Sequence, residues 1–218
     1  MNPIEILHED PSIIVVNKRP GDLVAESGDG SVVDAVRAVR PDLRGDLRVT
    51  HRIDRPASGV LILARTVAAC EAVNATFRTG APEKRYWAIA GGEPPAESAV
   101  LTHHLMHESR RNVTRVFDEP RRDTRPARLS YTVLGRTDRY VLLEVVLDTG
   151  RTHQIRAQLA HLALHIKGDT KYGAKRGNRG GGIHLHCRRI TLPTPPDGTV
   201  ATFTADPPDD PLWVMFPR

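Results

Sequence analysis

Cysteine is scarce in this sequence. There are two in 218 residues, Cys70 and Cys187, far apart and in no metal-ligand spacing. That excludes a disulfide framework and a CxxC site, and predicts two buried free thiols in a reducing compartment. Long apolar runs are missing too: none approaches the ~18 residues of a membrane span. The start, Met1-Asn2-Pro3-Ile4-Glu5, has no basic segment followed by an apolar one, so no signal peptide is read. The expectation is a soluble cytoplasmic protein with no membrane contact. Several catalytic signatures are also absent. Without HExxH, GxxxxGK[ST] or GxSxG, nothing in the order of residues points to a zinc protease, a P-loop or a serine-hydrolase elbow. The ten histidines include pairs at His161/His165 and His184/His186 and a cluster at His103, His104 and His107. None of these spacings supplies the three or four converging ligands of a zinc site, so no metal is expected.

What is present is ordinary for a globular protein, with 39% hydrophobic and 26% charged residues. The formal net charge of +5 suits a polyanion partner, though basic proteins without one are common. The length fits a single domain over 1–218; no repeat and no linker interrupts it.

The organising stretch is Thr50-His51-Arg52-Ile53-Asp54-Arg55-Pro56-Ala57-Ser58-Gly59. Pro56 fixes its own φ, and Gly59 admits backbone conformations closed to other residues. The run Val60–Ala64 that follows reads as a buried strand. Asp54 is therefore expected in a rigid loop before a core strand, the kind of place that holds catalytic groups. The structural reading is an ion-paired loop aspartate. A carboxylate flanked by Arg52 and Arg55 stays ionised, which suits a nucleophile better than a general acid.

Upstream, Ile4–Leu7 and Ile13–Val16 read as a strand pair about Glu9-Asp10-Pro11-Ser12, and Asn17–Gly21 as a basic turn. Ser31 caps a helix carrying Val32, Val36 and Val39, stopped by Pro41; a loop follows over 42–47. Thr66 caps a second helix with Cys70, Val73 and Phe77 on its apolar stripe and Gly80 past its end. Lys84–Ala90 is a strand with a basic entrance. Tyr86 and Trp87 point to opposite faces, and either ring could be the core one. Glu108–Arg128 is irregular and arginine-dense: a solvated, salt-bridged hairpin and loop, or a phosphate-contacting arm. Leu129–Leu134 and Tyr140–Leu147 form a hairpin about Gly135–Asp138. Thr152 is the expected cap of a helix whose apolar face is Ile155, Leu159 and Leu162. Arg151 stands between strand end and helix start. A helix gains nothing from an arginine at its positive end, so a carboxylate or phosphate partner is expected there. Lys175–Gly182 is a basic, glycine-rich loop. His184–Ile190 and Thr199–Ala205 read as strands, with turns at Pro193–Pro196 and Pro207-Pro208.

Five motifs then occur in order: HRIDRPASG, KRYWAIAGG, TGRTHQIR, GDTKYG and LHCRRITLPTP, after the opening IEILHEDPSIIVVNKRPG. Together they resemble the RluA-type family of RNA pseudouridine synthases over nearly the whole chain. Isoleucine stands at 53 where that family commonly has leucine, and alanine at 57 where it commonly has threonine. The resemblance begins at the first residues, so the expectation is a catalytic domain without the N-terminal S4 module that such proteins often carry.

The resemblance implies an α+β fold, with a mixed, largely antiparallel central sheet, flanking helices and an RNA-binding cleft. It implies Asp54 as nucleophile and Arg151 as its ion-pair partner. Tyr86 would stack on the target uracil and could assist proton transfer. Arg52 would fill the space left by the flipped nucleotide, and Ile155 would pack beneath the site. Arg55, Lys84 and Arg156 complete the implied RNA-contacting set. The reaction breaks N1–C1′, turns the uracil and joins C5 to C1′; attack on C1′ and a glycal route are both compatible with these residues. The base must leave its stack, which favours a stem-loop of rRNA or tRNA. No cofactor is called for, and a monomer is expected. The competing readings are a non-catalytic RNA-binding or RNA-folding module and a nucleoside hydrolase, which would release free uracil.

Overall fold

The computed structural model describes residues 3–43, 47–80 and 82–216. The expected loop over 42–47 falls partly outside them. In chain order the elements are β1 (Glu5–Glu9), β2 (Ile13–Lys18), α1 (Val32–Val39), β3 (Arg48–Val49), β4 (Ser58–Ala64), α2 (Val67–Thr79), β5 (Glu83–Gly91), β6 (Ser98–Glu108), β7 (Val113–Phe117), β8 (Arg125–Arg136), β9 (Val141–Leu147), α3 (Gln154–His161), β10 (His165–Ile166), a 3-10 turn Thr170–Tyr172, β11 (Leu185–Thr194), β12 (Thr199–Thr204) and α4 (Pro211–Val214). They fall into two compact units, Met1–Lys84 with His186–Pro208, and Arg85–Leu185 with Asp209–Arg218. No composition change in the sequence marks that division.

In the first unit β2 pairs antiparallel with β1 and β4, β3 lies against β4, and β12 against β11. The pair of β4 with β11 is parallel, His186 opposite Ser58 and Cys187 opposite Gly59. This sheet is therefore mixed. β4 is buried at all seven positions, as its unbroken apolar run predicts. In register, Ile14 faces Leu63 and Val16 faces Leu61. These four pack with Val32, Val33 and Val36 of α1 and with Ile4 and Leu47. Ser31 Oγ accepts the Asp34 N–H at 3.0 Å, a cap contributing about 1 kcal/mol, so α1 starts where its sequence predicts. α2 likewise starts after Thr66, whose Oγ1 accepts the Ala69 N–H at 3.1 Å, and ends at the left-handed Gly80.

The second unit is an antiparallel sheet in the order β5-β9-β8-β6-β7, with β10 on β5. Ile89, Leu142, Trp213 and Phe216 form a core cluster, and Trp87 and Tyr140 pack against it. Three features depart from the sequence reading. β6 has no counterpart there, because its Thr and His residues hide the alternation. The arginine-dense stretch is not irregular throughout: β7 pairs with β6, and β8 begins at Arg125. The turn after β11 starts later than read: Pro193 pairs within the strand end, which tolerates a residue lacking N–H, and the cis bond Pro195–Pro196 follows. The α+β class with mixed, largely antiparallel pairing is as expected. Both cysteines are free, Cys187 buried and Cys70 partly so. No described helix is long and apolar enough to cross a membrane.

Candidate catalytic and RNA-contacting residues

Asp54 lies in the loop between β3 and β4, half-buried, between the exposed Arg52 and Arg55. The loop is tied down from beneath by Lys18, at the end of β2. Its side chain is fully buried, and its ammonium donates to the carbonyls of Arg19 at 2.7 Å, Arg55 at 3.1 Å and Ala57 at 2.8 Å. Burial pushes the Lys18 pKa down to about 8, while the charges of Asp22 and Asp54 favour the ammonium. The Gly21 N–H also binds the Arg55 carbonyl (2.8 Å), and Arg55 Nε returns a hydrogen bond to the Gly21 carbonyl at 3.0 Å. The Ala57 N–H closes a turn on the Asp54 carbonyl at 3.0 Å. Gly59 has φ +116°, and a Cβ there would lie 2.3 Å from the Cys187 carbonyl oxygen. Only glycine lets β4 approach β11 that closely.

The flanks are fixed as well. Thr50 Oγ1 donates to the Ile62 carbonyl at 2.7 Å, and His51 Nε2 accepts the Ile62 N–H at 3.0 Å. That acceptance requires a neutral ring, and burial, with the Lys84 charge adding, pushes the His51 pKa down to about 3. His51 stacks on Phe77 with centroids 4.6 Å apart. Lys84 Nζ lies 5.8 Å from the Phe77 centroid, and burial lowers its pKa. Ser58 Oγ is 2.9 Å from His186 Nδ1, and His186 Nε2 is 3.0 Å from the Ala205 carbonyl. The carbonyl can only accept, so Nε2 carries the proton and Ser58 donates to Nδ1.

In the second unit, Arg151 sits in the turn between β9 and α3. The expected cap, Thr152, does not cap the helix. His153 is the boundary residue, in the left-handed conformation with φ +54° and no side-chain cap bond. Gln154, nearly fully buried, braces the turn before the helix. Its Oε1 accepts the Arg151 N–H at 3.0 Å and the Thr149 hydroxyl at 2.8 Å, and its Nε2 donates to the Arg128 carbonyl at 3.1 Å. Tyr172 holds the left-handed residue: its hydroxyl accepts the Thr114 N–H at 2.8 Å and lies 2.9 Å from His153 Nδ1. Thr114 Oγ1 in turn donates to the Thr152 carbonyl at 2.8 Å. Arg151 Nε donates to the Pro126 carbonyl at 3.2 Å. The turn that carries Arg151 is thus held on both sides by buried side chains.

Tyr86 is buried in β5 opposite Val145, and Trp87, partly buried, packs against the Ile89–Leu142–Trp213–Phe216 cluster, so Tyr86 is the more enclosed of the two rings. Ile155 is buried. Arg156 is a correction. It is 4% exposed, forms a bidentate pair with Asp169 at 2.6 and 2.8 Å, and lies over the Tyr172 ring at 4.9 Å. A buried guanidinium paired with a buried carboxylate is withdrawn from a phosphate backbone. α3 is buried from Gln154 through Leu159 rather than along one stripe, so Arg156, expected among the RNA-contacting residues, is enclosed with it. Sequence reasoning also missed Lys18 as an anchor and Gln154 as a brace. Lys18 shows in the sequence only as part of a basic turn, and Gln154 only as part of a motif.

The family model described as RNA pseudouridylate synthase matches residues 12–161. The chain belongs to this family. A tRNA pseudouridine synthase C of Salmonella typhi is 37% identical over 203 residues, covering 87% of this chain and 77% of that protein. A ribosomal large subunit pseudouridine synthase C of Vibrio cholerae is 32% identical, covering 78% of this chain and 53% of that protein. Among solved structures, human RNA pseudouridylate synthase domain containing 4 superposes with a TM-score of 0.79 at 25% identity, covering 96% of this chain and 90% of that one. The RluA-type resemblance read from the motifs and these likenesses agree. The chain is an RNA pseudouridine synthase, an isomerase, rather than a non-catalytic module.

Proposed function

We propose that this synthase acts on a uridine in a stem-loop of tRNA or ribosomal RNA, with Asp54 as its nucleophile. The observation that carries the assignment of Asp54 is its loop: Lys18 joins the carbonyls of Arg55 and Ala57, just after Asp54, to that of Arg19, so the carboxylate is presented by a braced backbone. In this reading Asp54 opens the N1–C1′ linkage, the uracil turns, and C5 bonds to C1′ while its proton leaves. N1 takes a proton from solvent in exchange for the one lost from C5, so the product is an isomer and no cofactor is required. Arg151 serves as the charge partner of Asp54 and Tyr86 as the platform for the uracil. Arg52 enters the stack in place of the flipped base, Ile155 packs beneath, and Arg55 and Lys84 meet the backbone. Chain 1–218 then works as a single catalytic domain, monomeric and cytoplasmic. The tRNA target is supported by the name of the Salmonella relative and the ribosomal target by that of the Vibrio relative.

The test is tritium release from uracil-C5-labelled RNA prepared from cells lacking the protein, with tRNA and rRNA fractions assayed separately. Wild type is expected to release tritium from one fraction. Asp54→Asn is expected to bind the same RNA and release none. Normal turnover by Asp54→Asn would remove Asp54 from the role. Release of free uracil by the wild type would instead identify a hydrolase.

A further inference from the structure

The histidines that the sequence spacing leaves unjoined are gathered by the tertiary structure. His103 of β6, Asp118 just after β7 and His161 at the end of α3 bring one ligand atom each within 4.8 Å of one another, the one such group among the described residues. Asp118 Oδ1 lies 3.1 Å from His161 Nε2 and 3.7 Å from His103 Nε2. Ligand atoms about 2.0–2.1 Å from a tetrahedral zinc stand roughly 3.3 Å apart, so these separations bracket those of a coordinated set. Asp118 is 75% exposed at its side chain and His161 35%, which gives an ion a path in. His103 is buried, and its other ring nitrogen, Nδ1, contacts Gln158 Nε2 at 2.8 Å. Gln158 is itself fully buried, and its Oε1 has no hydrogen-bond partner. A histidine that binds metal through Nε2 donates its Nδ1–H to an oxygen acceptor. Turning the Gln158 amide would offer that orphaned oxygen, in exchange for the long 3.4 Å bond that Nε2 now gives to the Leu101 carbonyl.

We propose that His103, Asp118 and His161 bind one borderline divalent cation of the Zn2+ type, through three protein ligands and a fourth position open to water. Imidazole nitrogens with a carboxylate select such ions over Mg2+ or Ca2+, which take oxygen ligands. The bound ion fastens the end of α3 to the β6–β7 hairpin. It does no chemistry on the substrate, because a uridine isomerisation needs no Lewis acid.

Tag-free protein, stripped with EDTA and dialysed, is titrated calorimetrically with Zn2+ alone. One equivalent is expected to bind at micromolar concentration or below, and Zn2+ is expected to raise the melting temperature. Asp118→Asn and His161→Ala should each weaken binding at least tenfold and abolish the thermal shift, whereas His104→Ala, beside the site, should change neither. Co2+ should give the ligand-field absorption of a tetrahedral site in wild type and not in His161→Ala. Asp118 is exposed, so Asp118→Asn decides the matter even if His161→Ala folds poorly. No saturable uptake, or uptake indifferent to Asp118→Asn, would overturn the proposal and leave two histidines sharing a surface aspartate.

Discussion

His186 shows how one buried side chain makes the protein sensitive to acid. It is fully buried in β11 and pushed down to about 4 by burial, with the Arg188 charge adding and the Ala205 hydrogen bond opposing. In the unfolded chain it titrates near 6.5. The folded value lies below the unfolded one, so the unfolded chain binds the extra proton between about pH 6.5 and 4. The stability contributed by neutral His186 is therefore complete above pH 6.5 and lost as pH falls toward 4. Protonation would also cost Ser58 its acceptor. Urea unfolding of wild type at pH 7 and at pH 5 should show a loss of the order of 1–2 kcal/mol from this group. His186→Gln should be less stable than wild type at pH 7 and should show a smaller difference between the two pH values. An unchanged difference would assign the acid sensitivity to other groups.

α3 is the element on which the reading of periodicity and the packing diverge. Ile155, Leu159 and Leu162 at helical spacing predict one apolar face for α3, and Arg156 is expected to contact RNA. Instead the helix is enclosed, and Asp169 meets Arg156 as the chain returns through the 3-10 turn. Breaking a buried pair by removing one partner strands the other charge, at a cost of about 3–5 kcal/mol. Arg156→Ala and Asp169→Ala should each lower stability by that order in chemical denaturation. The double variant should recover part of the loss, because neither charge is then left alone. Additive losses would show that the two side chains do not depend on each other. The same denaturation series on Lys18→Met should lose about 3 kcal/mol, since the carbonyls of Arg19, Arg55 and Ala57 lose their common donor.

For the whole molecule, the formal charge of +5 sets how it meets RNA. Affinity that comes from phosphate contacts falls linearly with salt on logarithmic axes. Arg52 is exposed beside Asp54, so Arg52→Ala should reduce the salt slope of RNA binding by about one contact. Arg156→Ala, assayed where it remains folded, should leave the slope as it is, because its guanidinium is paired within the protein. Filter binding of one stem-loop RNA across a salt series reads both. A slope change at Arg156 equal to that at Arg52 would return Arg156 to the RNA-contacting set.

Local chemistry was legible in the sequence by itself. Caps and stops fall at Ser31, Thr66 and Gly80, and the Val60–Ala64 run and the hairpin about Gly135 fold as strands, because each depends on neighbours along the chain. The motif order placed the chain in its family. Tertiary structure alone decided which polar residues are withdrawn from water and what they meet. Lys18 and Arg156 are ordinary surface cations in a one-dimensional reading. Each becomes an internal brace because its acceptors come from distant positions, Arg55 and Ala57 for one and Asp169 for the other. The same holds for His103, Asp118 and His161, which share no spacing in the sequence. Periodicity reports which face of an element is apolar; only the packed chain supplies the partner that makes burying a charge affordable.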